Sequence, residues 1–515
     1  MPETKTAAEP PRAAGTERPA TDRRVTDRRA TVAVALCIVT ILLAVLDSNI
    51  VSSATVPIVR DLDPVHGVDR IPWLIAAYQL AATAALPLYG KLCDTLGSKT
   101  VFIGALATFL TGSALCGMAQ SMGGLIAARA FQGIGGGGLM SVTMVVLHEL
   151  GSAARANGGG AESGAQRGDS KGSLGGIIAG AGMALGPWLG GALADHAGWR
   201  WIFYVNLPVG VAVLAGAVVV VRLPVRTTRH RIDFLGAGLA AAFSTALLLV
   251  TEWGGGRYAW TSPTVVGLAV AAVAALVLFL WRQATAAEPI LPLSHFALRP
   301  MRYGFAIQGL VGVAMMGSIV YVMIYLQVVR GVAATSAGLF LVPMAIGMTV
   351  VGLVSGRLVA AGWSQKTFVV SGTVFASAAL AVLTTLGTDT GLWTVRGAML
   401  LMGIGFGQLI GQLIQLVQEA APPSQLGVAT TGVRFFQTLG TALGASVFGA
   451  VLSRAYAAKG PGGSTSDIGG LTGAARRQAL DAFASSADVV FACATGVMVL
   501  ALILSTRLPG TRRKA

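Results

Sequence analysis

Fourteen apolar runs divide this chain, and each is long enough to cross a lipid bilayer. They cover residues 31–58, 71–91, 101–119, 122–147, 173–194, 200–221, 234–252, 262–281, 303–328, 336–359, 367–387, 392–417, 433–453 and 487–507. A helix needs about 20 predominantly apolar residues to cross the hydrocarbon core, so an all-α polytopic membrane protein is expected. The charge content agrees, at 11% against about 25% in a soluble domain. A net charge of +15 would point to nucleic acid in a soluble protein. Here the basic residues fall between the apolar runs, where they read as topology signals. An even number of spans puts both termini on one side. With residues 1–30 and alternate loops in the cytosol, 25 of the 37 Lys and Arg lie on that side, ten lie outside, and Arg129 and Arg434 fall within spans. That bias predicts a plasma-membrane protein with both termini cytosolic.

The first run proceeds from Thr31 to Leu46 without a charge and then meets Asp47. An ionised side chain near the bilayer centre costs roughly 2.5–3.5 kcal/mol on insertion scales. Protonation, pairing or a polar cavity can offset that cost, so Asp47 is read as a proton-binding carboxyl. It lies about eleven residues from the outer end of its run and Arg129 about seven from the outer end of its own, a depth difference of roughly 6 Å at 1.5 Å per residue. The two are expected to pair, directly or through water.

The remaining segments are read from composition. Residues 1–30 are polar and Arg-rich, as in a disordered cytosolic tail. Residues 149–172 are a Gly-rich flexible connector. Residues 455–486 are external, with an amphipathic stretch near Ala474–Phe483 expected to form a short interfacial helix. Cys37, Cys93, Cys116 and Cys493 lack metal or redox spacing and read as small hydrophobes. The five histidines give no metal pattern, so no metal and no cofactor are expected.

Chemistry concentrates in four stretches. Gly90-Lys-Leu-Cys-Asp94-Thr-Leu-Gly97-Ser-Lys99 joins the second and third spans. Its glycines permit a tight reversal, and Asp94 can cap a helix or meet a cation. The run Gly97-Ser-Lys99-Thr100 lacks phosphate-loop spacing, so no ATPase is read there. The fourth span carries Arg129-Ala-Phe-Gln132-Gly133-Ile-Gly135-Gly136, the fifth Gly182-Met-Ala-Leu-Gly186-Pro187-Trp-Leu-Gly190-Gly191, and the sixth opens Trp199-Arg-Trp-Ile-Phe-Tyr-Val-Asn206-Leu-Pro208-Val-Gly210. With Leu46-Asp47 and Val56-Pro-Ile-Val-Arg-Asp61-Leu62, these resemble the major facilitator superfamily, specifically the fourteen-span drug:proton antiporters of the actinobacterial multidrug and antibiotic type. Gly90, Asp94, Gly97 and Lys99 fall on its signature loop. Gly182, Gly186, Pro187, Gly190 and Gly191 fall on the antiporter motif of its exporters. Two basic positions of the signature loop are lost, and the 149–172 connector lacks the usual Arg-x-x-Gly. Gly356-Arg357-Leu358 with Lys366 is a worn second copy of the loop, as expected of a repeated fold.

The resemblance implies the major facilitator fold: a tail (1–30), a six-helix half (31–221), two extra spans (222–302), a second half (303–507) and a cytosolic tail (508–515). It implies proton-coupled export of drugs, antibiotics or other amphipathic organic compounds by alternating access. The proton motive force would replace a cofactor, with Asp47 and Arg129 as the coupling pair. A monomer is expected, with lipid, protons and a small-molecule substrate as partners. Gln408, Gln412 and Gln415 share one helix face and either join helices or line the cavity; Asn49, Tyr78, Gln79 and Gln132 are further cavity candidates. A metabolite transporter or a non-transporting sensor of the same fold is the alternative. No nucleophile–base or metal constellation suggests an enzyme.

Overall fold

The computed structural model describes residues 20–63, 71–156, 186, 189–190, 192–193, 196–221, 223, 233–255, 258–332, 334–459 and 472–509. Most of the 173–194 run and the Gly-rich stretches within 157–172 and 460–471 lie outside the described residues. Apart from one isolated bridge between Gly254 and Tyr258, the regular structure described is helical. The helices used below are α1 (Ala20–Ser53), α2 (Thr55–Leu62), α3 (Ile71–Leu96), α4 (Ser98–Gly117), α5 (Met122–Ala156), α6 (Asn206–Val220), α7 (Phe234–Trp253) and α8 (Pro263–Thr285). They continue as α9 (Arg299–Val328), α10 (Leu341–Ala360), α11 (Gln365–Leu383), α12 (Leu392–Ala420), α13 (Leu426–Lys459) and α14 (Gly473–Thr506). Among the described residues, twelve helices are long and apolar enough to span a membrane. The face where α1 begins and α14 ends is called the terminal face, and the opposite one the distal face.

Local chemistry sets several boundaries. Pro57 has no N–H for the Ser53 carbonyl, and its ring crowds that carbonyl, so the first run breaks between α1 and α2. Asp233 caps α7, accepting from the Gly236 N–H at 3.0 Å, and Ser262 caps α8 ahead of Pro263. Two elements depart from the sequence expectation. The first helix starts at Ala20, inside the stretch read as a disordered tail. The amphipathic stretch near Ala474–Phe483 is no separate interfacial helix, because it forms the opening turns of the 34-residue α14.

Two bundles repeat one packing plan. In the first, α5 lies against α3 and α4; a Cβ at Gly133 would strike the Tyr78 carbonyl, and one at Gly135 the Phe109 backbone. In the second, α12 lies against α10 and α11, with Gly403 against Met344 and Gly405 against Ala376. Close backbone approach replaces the hydrophobic drive that helices lack in lipid. The repeat extends to polar contacts at the terminal face. Lys99 donates to the Val218 carbonyl at 2.9 Å near the end of α6, and Lys366 to the Thr506 carbonyl at 2.7 Å at the end of α14. Ser98 bonds Glu149, and Gln365 bonds Glu419.

The α7–α8 hairpin packs on the seam between bundles, with α7 touching both α3 and α13. Trp73 meets Trp253 edge-on at 5.8 Å on the distal side. The outer stripe of α8, Val266, Val270, Val273, Val277 and Trp281, is exposed, as on a lipid-facing surface. Between the bundles themselves, Leu86 of α3 clusters with Phe435 and Leu439 of α13.

Gly440 of α13 presses on the Gly309 carbonyl of α9, whereas Gly397 of α12 faces open space. Overpacking of a tight contact costs typically about 1–3 kcal/mol. Gly440→Val is therefore expected to lower the melting temperature in detergent, and Gly397→Ala to leave it unchanged or raise it. Equal melting of the two variants would contradict this packing.

Candidate functional site

Asp47 on α1 is 1% exposed. Its Oδ2 lies 3.0 Å from Nη1 of Arg129 on α5, so the pair predicted from depth is direct. Its Oδ1 accepts from Gln132 Nε2 at 2.9 Å and from Asn206 Nδ2 at 2.8 Å. Three donors on one carboxylate match an acceptor-only, ionised group. Arg129 is equally enclosed: it donates to Gln132 Oε1 at 2.8 Å and to the Leu74 carbonyl at 3.3 Å. Its guanidinium lies 4.3 Å from the centre of the Tyr78 ring, a cation–π distance.

Asn206, at the start of α6, also donates to Ser113 Oγ of α4 at 3.0 Å. Ser113 in turn donates to the Phe203 carbonyl at 2.9 Å. The cluster thus ties α1, α3, α4, α5 and α6 around one charge. Asn206 was named in sequence only within the sixth-span motif, with no site role, and Ser113 was not singled out. The rule that amides in lipid must face the bundle would have flagged Asn206.

A second constellation closes the terminal face. Asp94, just past its span at the end of α3, accepts from the Gly427 N–H at 2.8 Å and the Val428 N–H at 3.0 Å. It caps α13 of the other bundle, where the helix dipole favours an anion. Gly90 lets α3 approach, since its Cβ would sit 2.9 Å from the Val428 Cα. Lys91 pairs with Glu288 at 3.3 Å. Gly97, with φ of 83°, provides the left-handed turn into α4. On the distal face Asp61 meets Arg200 at 2.6 Å and Trp199 Nε1 at 3.0 Å. Both bonds hold its carboxyl below the usual range, Arg200 contributing most.

The cavity candidates separate. Gln132 belongs to the Asp47 cluster and not to an open wall, because both ends of its amide are engaged there. Gln408 bonds Ser371 of α11, which is the helix-joining role. Tyr78 is buried beneath Arg129, Gln79 is exposed and Gln415 is half-buried. Gln412 is buried with both amide atoms unpartnered. The side chain of Asn49 lies outside the described residues. So do Gly182, Pro187 and Gly191, while Gly186 and Gly190 are helical and buried. Among the described residues no group of His, Cys, Asp or Glu could hold a metal ion.

The Major Facilitator Superfamily model matches residues 36–234 and 232–445. The chain belongs to this superfamily. It is 34% identical over 480 residues to an uncharacterized MFS-type transporter of Mycobacterium tuberculosis, covering 91% of this chain and 68% of that one. It is 34% identical over 418 residues to the multidrug transporter protein MdtP of Bacillus subtilis, covering 81% and 74%. The fold is similar to that of the human organic anion transporter MFSD10, with a TM-score of 0.63 at 15% identity, covering 92% of this chain and 99% of that one. It is also similar to the proton:xylose symporter XylE, with a TM-score of 0.61 at 13% identity, covering 95% and 97%. The chain is therefore a multi-pass membrane transporter of small molecules and not an enzyme.

Two outcomes follow for this transporter. Arginine cannot shed its charge in a protein, so Asp47→Leu strands a buried cation at a cost of about 3–5 kcal/mol. The double change Asp47→Leu/Arg129→Leu is expected to melt higher than Asp47→Leu alone; a lower melting point would dismiss the coupling. At the terminal face, burial raises Asp94 to about 7, against the opposing pull of the Val428 and Gly427 N–H groups. Where that contact parts, the carboxyl returns to water and its ordinary value near 4. The contact is thus stabilised by proton uptake, fully at low pH, and loses that stabilisation as pH rises through about 7. Spin-label distances between the terminal ends of α3 and α13 are expected to lengthen from pH 6 to 8 in the wild type and to stay constant in Asp94→Asn.

Proposed function

We infer that this transporter exports amphipathic organic compounds, drugs among them, from the cytosol in exchange for protons. The observation that carries the inference is the Asp47 cluster, a single carboxylate buried where five helices of one bundle meet. The relatives named multidrug transporter protein and Multidrug resistance protein 3, both of Bacillus subtilis, support the cargo class. The excess of basic residues on one side supports a plasma-membrane topology with both termini cytosolic. The terminal face, where Asp94 joins the two bundles, is then cytosolic. Monomeric action and the absence of any cofactor complete this reading.

The chemistry of coupling follows from the donors around Asp47. Ionised, the carboxylate accepts from Arg129, Gln132 and Asn206. Once protonated it carries an O–H, and its neighbours offer donors in return. Gln132 or Asn206 could turn its amide oxygen toward it, and that turn breaks the Gln132–Arg129 bond or the Asn206–Ser113 bond. Either way, contacts between α1, α5 and α6 rearrange and Arg129 loses its counter-charge. Such a local charge change biases the two bundles between inward and outward access. One proton moving down 100 mV releases about 2.3 kcal/mol, enough for roughly a fifty-fold substrate gradient.

Everted vesicles test the reading with a panel of positive, neutral and negative amphipathic compounds. At least one is expected to accumulate under an acid-inside gradient, and an uncoupler should abolish that accumulation. Asp47→Asn should abolish it too, with the amount of inserted protein unchanged. Gradient-driven uptake that survives Asp47→Asn rules out this role for the carboxyl.

A further inference from the structure

The second arginine within a span has no part in the coupling cluster. Arg434 lies on α13 about eight residues, or roughly 12 Å, from the helix's terminal end. It is half-buried at the seam between the bundles. Its Nη1 donates to Gln437 Oε1 at 2.9 Å, and its Nη2 approaches Sδ of Met140, on α5 of the other bundle, at 2.8 Å. Among the described residues it has no carboxylate partner. A guanidinium offers five N–H donors, and a thioether sulfur is a weak acceptor, so most of its capacity is unspent. Arg129, in the first bundle, has a carboxylate, an amide oxygen and a backbone carbonyl. A cation inside a membrane protein without an acid beside it marks a substrate or ion pathway.

The surroundings suit an amphipathic guest. Gln437 Nε2 faces Sδ of Met315 at 3.7 Å, so two methionines flank the Arg434–Gln437 pair. Methionine adapts to varied apolar shapes. Gln412 on α12 and Gln308 on α9 lie at similar depth, about eight and nine residues from the terminal ends of their helices. Both are buried with both amide atoms unpartnered. The second bundle therefore offers one fixed positive charge, uncharged hydrogen-bonding groups and pliable apolar surface.

We propose that Arg434 is the charge-reading residue of a substrate subsite, and that the exporter's cargo carries a carboxylate, sulfonate or phosphate on an apolar body. This rests on the export reading above and narrows its substrate class to amphipathic anions. The anionic group pairs with the guanidinium while the apolar body lies against Met140 and Met315. The site sits on the seam, so opening the terminal face separates Arg434 from Met140 and alters the grip on the anion. Each access state then holds the cargo differently, as transport requires.

Equilibrium binding to the full-length protein in phosphatidylcholine nanodiscs tests this without any gradient, so it is independent of proton coupling. The probes are radiolabelled taurocholate as the amphipathic anion and tetraphenylphosphonium as the amphipathic cation. Arg434→Gln is expected to weaken taurocholate about tenfold or more and to leave tetraphenylphosphonium unchanged or tighter, while Arg434→Lys loses less because the charge remains. A purely structural arginine would move both probes together, and that result overturns the proposal. Absence of taurocholate binding by the wild type, or binding insensitive to Arg434→Gln, also overturns it. Discs of phosphatidylglycerol identify the source of the anion. Unchanged taurocholate affinity assigns the subsite to cargo, and competitive loss gives it to a lipid headgroup, overturning the cargo assignment. Taurocholate bound through Arg434 but not driven by a proton gradient would leave the subsite standing and remove the antiport reading alone.

Discussion

Asp47 and Arg129 place opposite charges 3.0 Å apart where almost no water reaches either side chain. Isolated, each would be expelled from such a place; together, with Gln132, Asn206 and the Leu74 carbonyl completing their hydrogen bonds, they can remain. The rest of the first bundle is arranged so that this can happen. The glycines of α5 bring α3 and α4 close enough for Tyr78 and Ser113 to enter the cluster, and the turn after Phe203 delivers Asn206. A buried pair of this kind adds little net stability. Under the proposed coupling, its value lies in making five helices respond to one proton.

The repeat between bundles is most informative where it fails. Lys99 and Lys366 hold equivalent helix ends, and Ser98–Glu149 is echoed by Gln365–Glu419. Asp94 has no echo: five residues before Lys366 stands Ala361. Of two related loops on the terminal face, one carries the carboxylate that caps a helix of the opposite bundle. That helix, α13, also contacts the α7–α8 hairpin. The strap that follows α8 reaches the same place, through Glu288 to Lys91 and through His295 to Gln425 at 2.5 Å. The lost basic positions of the signature loop thus fall at a contact that has other supports.

Much of this was legible in sequence because a bilayer leaves few choices. Apolar runs of span length announced the helices, and a charge inside one announced Asp47. Depth along two helices announced a pair with Arg129, direct or through water, and the structure makes it direct. Three things were not legible. Whether Gln132 and Gln408 line a cavity or join helices depends on rotation about the helix axis, which spacing alone leaves open. The role of Asn206 depends on where the sixth span's first turn sits against α4, a tertiary fact. The helix over Gly473–Phe483 was misread because amphipathy describes an interfacial helix and the exposed first turns of a longer helix equally well.

Two arginines interrupt apolar spans, and sequence assigns both the same cost. Structure separates them by their company. Arg129 is closed in by a carboxylate, an amide, a carbonyl and an aromatic ring, and its charge is answered within its own bundle. Arg434 reaches across the seam to a sulfur atom and an amide oxygen. An unanswered charge on a seam between bundles is useful when something else supplies the answer. On the subsite proposed above, the same desolvation that forces Asp47 and Arg129 together favours, at Arg434, a guest that brings a negative charge.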